Sequence, residues 1–285
     1  MEIDRISVLG AGTMGAGIAQ VAAQAGFDTL LYDVSQEFID KGLSRIRSFL
    51  QGSRERGKIT ADQEAQMVAR VRGTTRVEDF KGSTLVIEAA PEKLALKRDI
   101  FKQVDAICGA ETLIATNTSS LSVTAIASGT QRPERVLGLH FFNPPPLMAL
   151  VEVIQADRTS AETMETGVAL VRRMGKTPAR AKDTPGFIVN RVARPFYNEA
   201  LRILEDGSAS VETIDRIMKQ AGNFRMGPFE LMDLIGNDIN FATTESLYQS
   251  FFQDPRFRPS PIQHKMVLAG ALGRKTGRGF YNHGN

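Results

Sequence analysis

Short apolar runs alternate with helical repeats along the first two-thirds of the chain. Ile6–Leu9, Thr29–Tyr32, Thr84–Glu88, Leu113–Thr116, Val136–Leu139 and Leu150–Ile154 read as strands. Most are compact and apolar throughout, as strands covered on both faces are. Between the first two, Met14, Ile18, Val21, Ala22 and Ala25 recur at helical spacing until Gly26 stops them. A β-α-β opening predicts an α/β fold of the Rossmann type, with a doubly wound, mostly parallel sheet.

After about Lys182 the pattern changes. Ile188, Val189, Val192, Phe196, Ala200, Leu201 and Leu204 follow a helical repeat that Asp206-Gly207 ends, with a kink or break expected at Pro195. Val211–Ala221 and Ile239–Phe252 read as helices, and Gln253–Pro261, with three prolines, as a loop. The boundary therefore falls within Asp183-Thr184-Pro185-Gly186. Residues 1–184 are expected to form a nucleotide-binding domain and residues 185–285 an all-helical C-terminal domain.

Composition narrows the picture. The chain has 285 residues, 42% of them hydrophobic and 24% charged, which suits folded domains and not bulk disorder. Lys plus Arg exceeds Asp plus Glu by only 35 against 32. That suits an anionic small molecule and gives no argument for nucleic acid. One cysteine, Cys108, permits no disulfide within the chain and fits a reducing, cytoplasmic setting. Three histidines, scattered, and the absence of HExxH or CxxC argue for no metal site. No apolar run reaches membrane-spanning length.

Gly10-Ala11-Gly12-Thr13-Met14-Gly15 matches GxGxxG, and its setting between a strand and an amphipathic helix gives it weight. Gly10 would make the tight turn, Gly12 let the backbone approach a pyrophosphate, and Gly15 allow close helix–strand packing. Asp33 closes the second strand 18 residues beyond Gly15, placed for the ribose hydroxyls of NAD and against the 2′-phosphate of NADP.

His140 follows a strand and precedes Phe141-Phe142-Asn143-Pro144-Pro145-Pro146, whose prolines are expected to hold the chain extended. An imidazole there suits proton exchange with a secondary alcohol. Glu152 sits among apolar neighbours, a poor place for a carboxylate unless it is paired. Pairing with His140 would fix the tautomer, although spacing alone shows no contact. Asn117-Thr118-Ser119-Ser120, after another strand, could bind a substrate oxygen or cap a helix.

These motifs together closely resemble the L-3-hydroxyacyl-CoA dehydrogenase family, above all its short monofunctional 3-hydroxybutyryl-CoA members. The matching stretches are GAGTMGAGIAQ, IEAAPEKLALK, NTSSL, GLHFFNPPPLMALVEVI, DTPGFIVNR, MGPFELMDLIG and GRKTGRGFY, in the family's order across nearly the whole chain. The resemblance implies NAD-dependent interconversion of (3S)-3-hydroxyacyl-CoA and 3-oxoacyl-CoA, as in fatty-acid metabolism. It implies His140 as acid/base with Glu152 orienting it, Ser119 and Asn190 on the substrate's 3-oxygen, and Asn143 beside the nicotinamide. Glu92, Lys97, Asn117, Ser119 and Lys275 correspond to positions near the cofactor. From the residues alone, Glu92 and Lys97 read as a solvated helical face and Lys275 as a surface charge. The segment from Asp33 to Ile59 matches less tightly. The family has a coenzyme A-contacting helical hairpin there, and this chain offers Arg45, Arg47, Arg54, Arg56 and Lys58. A homodimer through the helical domain is a further implication. Two other readings stay open: a dehydrogenase of free hydroxy acids, and a nucleotide-binding protein without catalysis.

Overall fold

A computed structural model describes residues 3–284. The chain divides into two compact units, with the boundary along the chain between Thr184 and Pro185. In chain order the first unit holds β1 (Arg5–Leu9), α1 (Thr13–Gln24), β2 (Asp28–Tyr32), α2 (Gln36–Glu55), α3 (Ala61–Ala69) and β3 (Val71–Thr74). It continues with β4 (Leu85–Glu88), α4 (Leu94–Ile107), β5 (Leu113–Thr116), α5 (Val123–Ala127), β6 (Val136–Phe141), β7 (Leu150–Gln155), α6 (Ala161–Arg173) and β8 (Thr177–Lys182).

The eight strands form one sheet in the order β3-β2-β1-β4-β5-β6-β7-β8. All neighbours are parallel except β6 and β7, which are antiparallel. The order reverses at β1, and in doubly wound sheets a ligand crevice opens there, outside the carboxyl ends of the strands. Strands β4, β5 and β6 are buried along their whole length. Their side chains join Ile6, Val8, Ile18, Val21, Leu137 and Val153 in one apolar core.

Two strands carry no apolar signal in the sequence, and both are edges. β3 reads Val-Arg-Gly-Thr and β8 reads Thr-Pro-Ala-Arg-Ala-Lys, each only partly covered. An edge strand needs no second apolar face, and Pro, Arg and Lys there discourage pairing with another chain. The prolines after His140 also act differently from expectation. Leu147 and Met148 donate their N–H groups to the Pro144 carbonyl, so the segment turns instead of running extended. Pro145 closes against Gly17 of α1, where an added Cβ would stand 2.8 Å from the proline ring.

The second unit contains α7 (Val189–Glu205), α8 (Val211–Gln220), α9 (Pro228–Ile235), α10 (Asn237–Ser250) and α11 (Pro261–Leu268). Its core gathers Tyr197, Leu201, Ile214, Phe229 and Met232. Helix α7 continues through Pro195 without a break. The stretch read as loop holds one 3-10 turn, Pro255–Phe257, and Pro261 already opens α11. Proline is tolerated at both places, because a first helical turn leaves its N–H groups unpaired.

Candidate active site

The glycine turn is fixed by contacts that exclude larger residues. Gly10 adopts φ 103°, and a Cβ on it would come within 2.6 Å of the Ala89 carbonyl oxygen. A Cβ on Gly15 would lie 1.7 Å from the Gly10 carbonyl oxygen, so only glycine lets α1 pack this close. At Gly12 an added Cβ would meet nothing within 4 Å. Gly12 also begins α1 without a side-chain cap, and no acid occupies the first turn. The N-terminal N–H groups and the positive end of the helix dipole therefore face outward together, as an anion requires. Asp33 accepts the Ala11 N–H on one oxygen and the Val34 N–H on the other, both at 2.7 Å. Its carboxylate thus ties the end of β2 to the glycine turn. Arg45 of α2 reaches the same turn, its guanidinium 3.4 Å from the Ala11 carbonyl. Arg54 pairs with Glu64 of the neighbouring helix, while Arg47, Arg56 and Lys58 stay exposed.

The antiparallel pairing of β6 and β7 sets His140 directly opposite Glu152. Directly opposed side chains on such a ladder stand close enough to touch. Here the imidazole Nδ1 lies 2.7 Å from Glu152 Oε2, with the carboxylate fully buried and the ring 6% exposed. A carboxylate only accepts hydrogen bonds, so Nδ1 is the donor and the tautomer is fixed. Phe142 tilts against the imidazole with ring centres 4.5 Å apart. Asn117 holds the end of the strand: its side-chain oxygen accepts the Phe141 N–H at 2.9 Å. Lys176 secures the turn that follows, donating to the carbonyls of Pro145 and Met148 at 2.7 and 2.9 Å.

A second charged cluster joins the ends of β4 and β5. Lys97 is 1% exposed, and its ammonium meets Glu88 at 2.6 Å, the Ala90 carbonyl at 3.2 Å and Glu92 at 3.3 Å. Glu88, also fully buried, accepts Thr116 Oγ1 at 2.7 Å and the Ala90 N–H at 2.6 Å. Glu92 Oε1 accepts Thr118 Oγ1 at 2.5 Å and the N–H groups of Ser119 and Ser120 at 3.0 and 3.1 Å. Burial pushes the Glu92 pKa up, but Lys97, Thr118 and Ser119 outweigh it and hold the carboxyl below its ordinary range. The Asn117–Ser120 loop is therefore not a helix cap. Ser122 caps α5, and Asp183 receives the Val123 and Thr124 N–H groups.

Residues 5–184 match the 3-hydroxyacyl-CoA dehydrogenase NAD binding domain, and residues 186–283 match the 3-hydroxyacyl-CoA dehydrogenase C-terminal domain. The chain belongs to the 3-hydroxyacyl-CoA dehydrogenase family. A 3-hydroxyadipyl-CoA dehydrogenase of Escherichia coli is 47% identical over 99% of this chain, which spans 59% of that relative's length. A 3-hydroxybutyryl-CoA dehydrogenase of Clostridioides difficile is 44% identical, over 98% of this chain and 99% of its own. The crystal structure of an (S)-3-hydroxybutyryl-CoA dehydrogenase from Ralstonia eutropha superposes with a TM-score of 0.96 at 44% identity, with both chains fully covered.

In this 3-hydroxyacyl-CoA dehydrogenase family member, two of the sequence-selected residues belong to the helical unit. Asn190 stands in the first turn of α7, partly buried. Lys275 places its ammonium on both oxygens of Asp238, at 2.6 and 2.7 Å. Asn143 precedes Pro144 through a cis peptide in the turn after β6. Glu88 and Lys176 escaped the sequence reading, and Thr118 was noted only as part of the Asn117–Ser120 loop. Glu88 offered one usable signal, an acid closing an apolar strand as Glu152 lies within one. Among the described residues no three acids, histidines or cysteines gather as a metal site, and no helix is long and apolar enough to cross a membrane.

Proposed function

We propose that this chain is an NAD-dependent (3S)-3-hydroxyacyl-CoA dehydrogenase acting on short acyl chains, interconverting 3-hydroxybutyryl-CoA and acetoacetyl-CoA. The observation that carries the reading is the 2.7 Å contact between His140 Nδ1 and buried Glu152. It commits one ring nitrogen to a carboxylate and assigns proton exchange to the other. The NAD assignment is supported by the uncapped α1 N-terminus for the pyrophosphate and by Asp33 beside it for the adenosine ribose.

Bound NAD supplies the hydride acceptor for oxidation and, when reduced, the donor for the reverse reaction. Neutral His140 takes the 3-hydroxyl proton during oxidation, and Glu152 stabilises the imidazolium that results. In reduction the imidazolium returns that proton to the 3-oxygen. Ser119 and Asn190 hold this oxygen, a role that rests on the family resemblance. Asn143 flanks the nicotinamide, while Glu92, Lys97, Asn117 and Lys275 serve the cofactor side. For Glu92 and Asn117 the reading gains support from their grip on the Ser119 loop and on the strand of His140. A homodimer through the helical unit is supported by exposed Val192, Ile217, Phe224 and Leu234, all in that unit. The cytoplasm is the proposed location.

The test is purified protein with acetoacetyl-CoA and either NADH or NADPH, with free acetoacetate as control. The reading expects rapid NADH oxidation with the thioester, slower NADPH oxidation and little turnover of the free acid. Intact NADH binding without turnover of any 3-oxoacyl thioester would overturn it.

A further inference from the structure

Among the described residues Arg194 is a buried cation without an anion. It lies on α7, 3% exposed, and the groups its guanidinium meets are neutral. Nη1 donates to the Asn240 carbonyl at 2.9 Å and to Thr244 Oγ1 at 3.0 Å, and the guanidinium lies over the Tyr197 ring. Nε is buried and has no acceptor. Beside it, Asn240 Nδ2 is a second buried donor without an acceptor. The amide orientation follows from Gln263, whose Nε2 donates to Asn240 Oδ1 at 3.1 Å and so turns Nδ2 away from it. Burial lowers the Arg194 pKa to about 10, which still leaves it charged at neutral pH. Desolvating a guanidinium without a counter-charge is costly, and proteins seldom keep such a group without use. Donors in surplus, acceptors absent and a net positive charge together describe a receptor for a carboxylate.

The position on α7 says which carboxylate. Arg194 follows Asn190 by four residues, so both share one helix face about 6 Å apart along the axis. On the reading above, Asn190 holds the 3-oxygen of the substrate. From that carbinol, three carbon–carbon bonds of about 1.5 Å each lead to the sixth acyl carbon, about 4 Å away when extended, and a hydrogen bond of about 3 Å from a carboxylate there covers the rest of the helical turn. We propose that Arg194, assisted by the Asn240 amide, selects 3-hydroxyacyl-CoA substrates whose acyl chain ends in a carboxylate three carbons beyond the carbinol. This rests on the proposed dehydrogenase activity and adds a specificity residue to it. A guanidinium fits the role because two of its N–H groups can meet both carboxylate oxygens.

The experiment compares two six-carbon thioesters of equal length, 3-hydroxyadipyl-CoA and 3-hydroxyhexanoyl-CoA, with NAD. For the wild type, kcat/KM should favour the carboxylate-terminated thioester at least tenfold. In Arg194→Met that preference should fall by on the order of a hundredfold, through KM more than through kcat. Arg194→Lys, which keeps charge and loses the fork, should fall between. Equal wild-type turnover of both thioesters overturns the specificity proposal while leaving the dehydrogenase reading standing. So does a loss in Arg194→Met that is the same for both substrates, as a purely structural arginine would give. Turnover of neither six-carbon thioester overturns this proposal, and the parent reading falls with it only if acetoacetyl-CoA is not reduced either. Should Arg194→Met fail to fold, the wild-type comparison and Arg194→Lys decide the matter.

Discussion

The two units bury charge by different rules. In the sheet-bearing unit the buried acids and bases pair with one another: His140 with Glu152, and Lys97 with Glu88. The first pair is set by the antiparallel ladder of β6 and β7, and the second joins the end of β4 to Lys97 of α4. In the helical unit, Asp215 takes the Phe229 and Glu230 N–H groups and the Tyr281 hydroxyl. Asp233 takes the Phe280 and Tyr281 N–H groups, the Asn237 amide and His283. Asp215, though it meets no ionised partner, has both oxygens filled by donors, whereas Arg194 Nε is left without an acceptor among the described residues. A paired buried charge holds other groups in place, as Glu88 and Lys97 hold the Ser119 loop through Glu92. A buried charge left with donors to spare is the feature on which the proposed carboxylate specificity rests.

Breaking a pair in the first unit should have the largest effect on stability. Glu88→Gln removes the anion from a fully buried ammonium, so urea denaturation should report a loss of about 3–5 kcal/mol. A neutral result would mean that Glu92 suffices for Lys97 and that Glu88 positions nothing. In the helical unit, Asp233→Asn keeps the shape but weakens the acceptor for two N–H groups and His283. A smaller loss of about 1–3 kcal/mol follows. Equal losses at the two sites would erase the distinction between the units.

Acid provides a milder probe of the same cluster. The Glu92 carboxyl is held below its ordinary range, so its contribution is complete above that range. The contribution drains away as the pH falls through the lowered value, when the folded protein must take up the proton. Glu92→Gln should flatten this acidic limb of the stability curve, and an unchanged limb would deny Glu92 its place in it. Smallest of all is the effect expected at Cys108. Burial raises its thiol to about 11, so iodoacetamide at neutral pH should leave the native protein unmodified and fully active. Rapid labelling would show that this part of the first unit opens.

What the sequence disclosed divides along related lines. The glycine turn, Asp33 and the buried strands were legible because backbone geometry and burial impose local composition. The edge strands β3 and β8 were not, since an edge strand loses the apolar signature that marks its neighbours. His140 and Glu152 could be picked out individually, by a proline-rich exit and an acid in an apolar strand. Their contact depended on the antiparallel return of β7, which no spacing revealed. Lys97 read by itself as a solvated charge, and only the fold closes Glu88 and Glu92 around it. Arg194, in Val-Ala-Arg-Pro, resembled any basic residue on a helix. Its isolation is a property of α10, packed beside it from more than forty positions along the chain.

The account centres on His140 and Glu152 acting as one unit, and a double-mutant cycle in kcat tests that most directly. His140→Gln should reduce kcat by about 10²–10⁴-fold, Glu152→Gln by a smaller factor, and the double variant no further than His140→Gln alone. A double variant slower by the full product of the two single effects would show the residues acting independently, and would contradict the account.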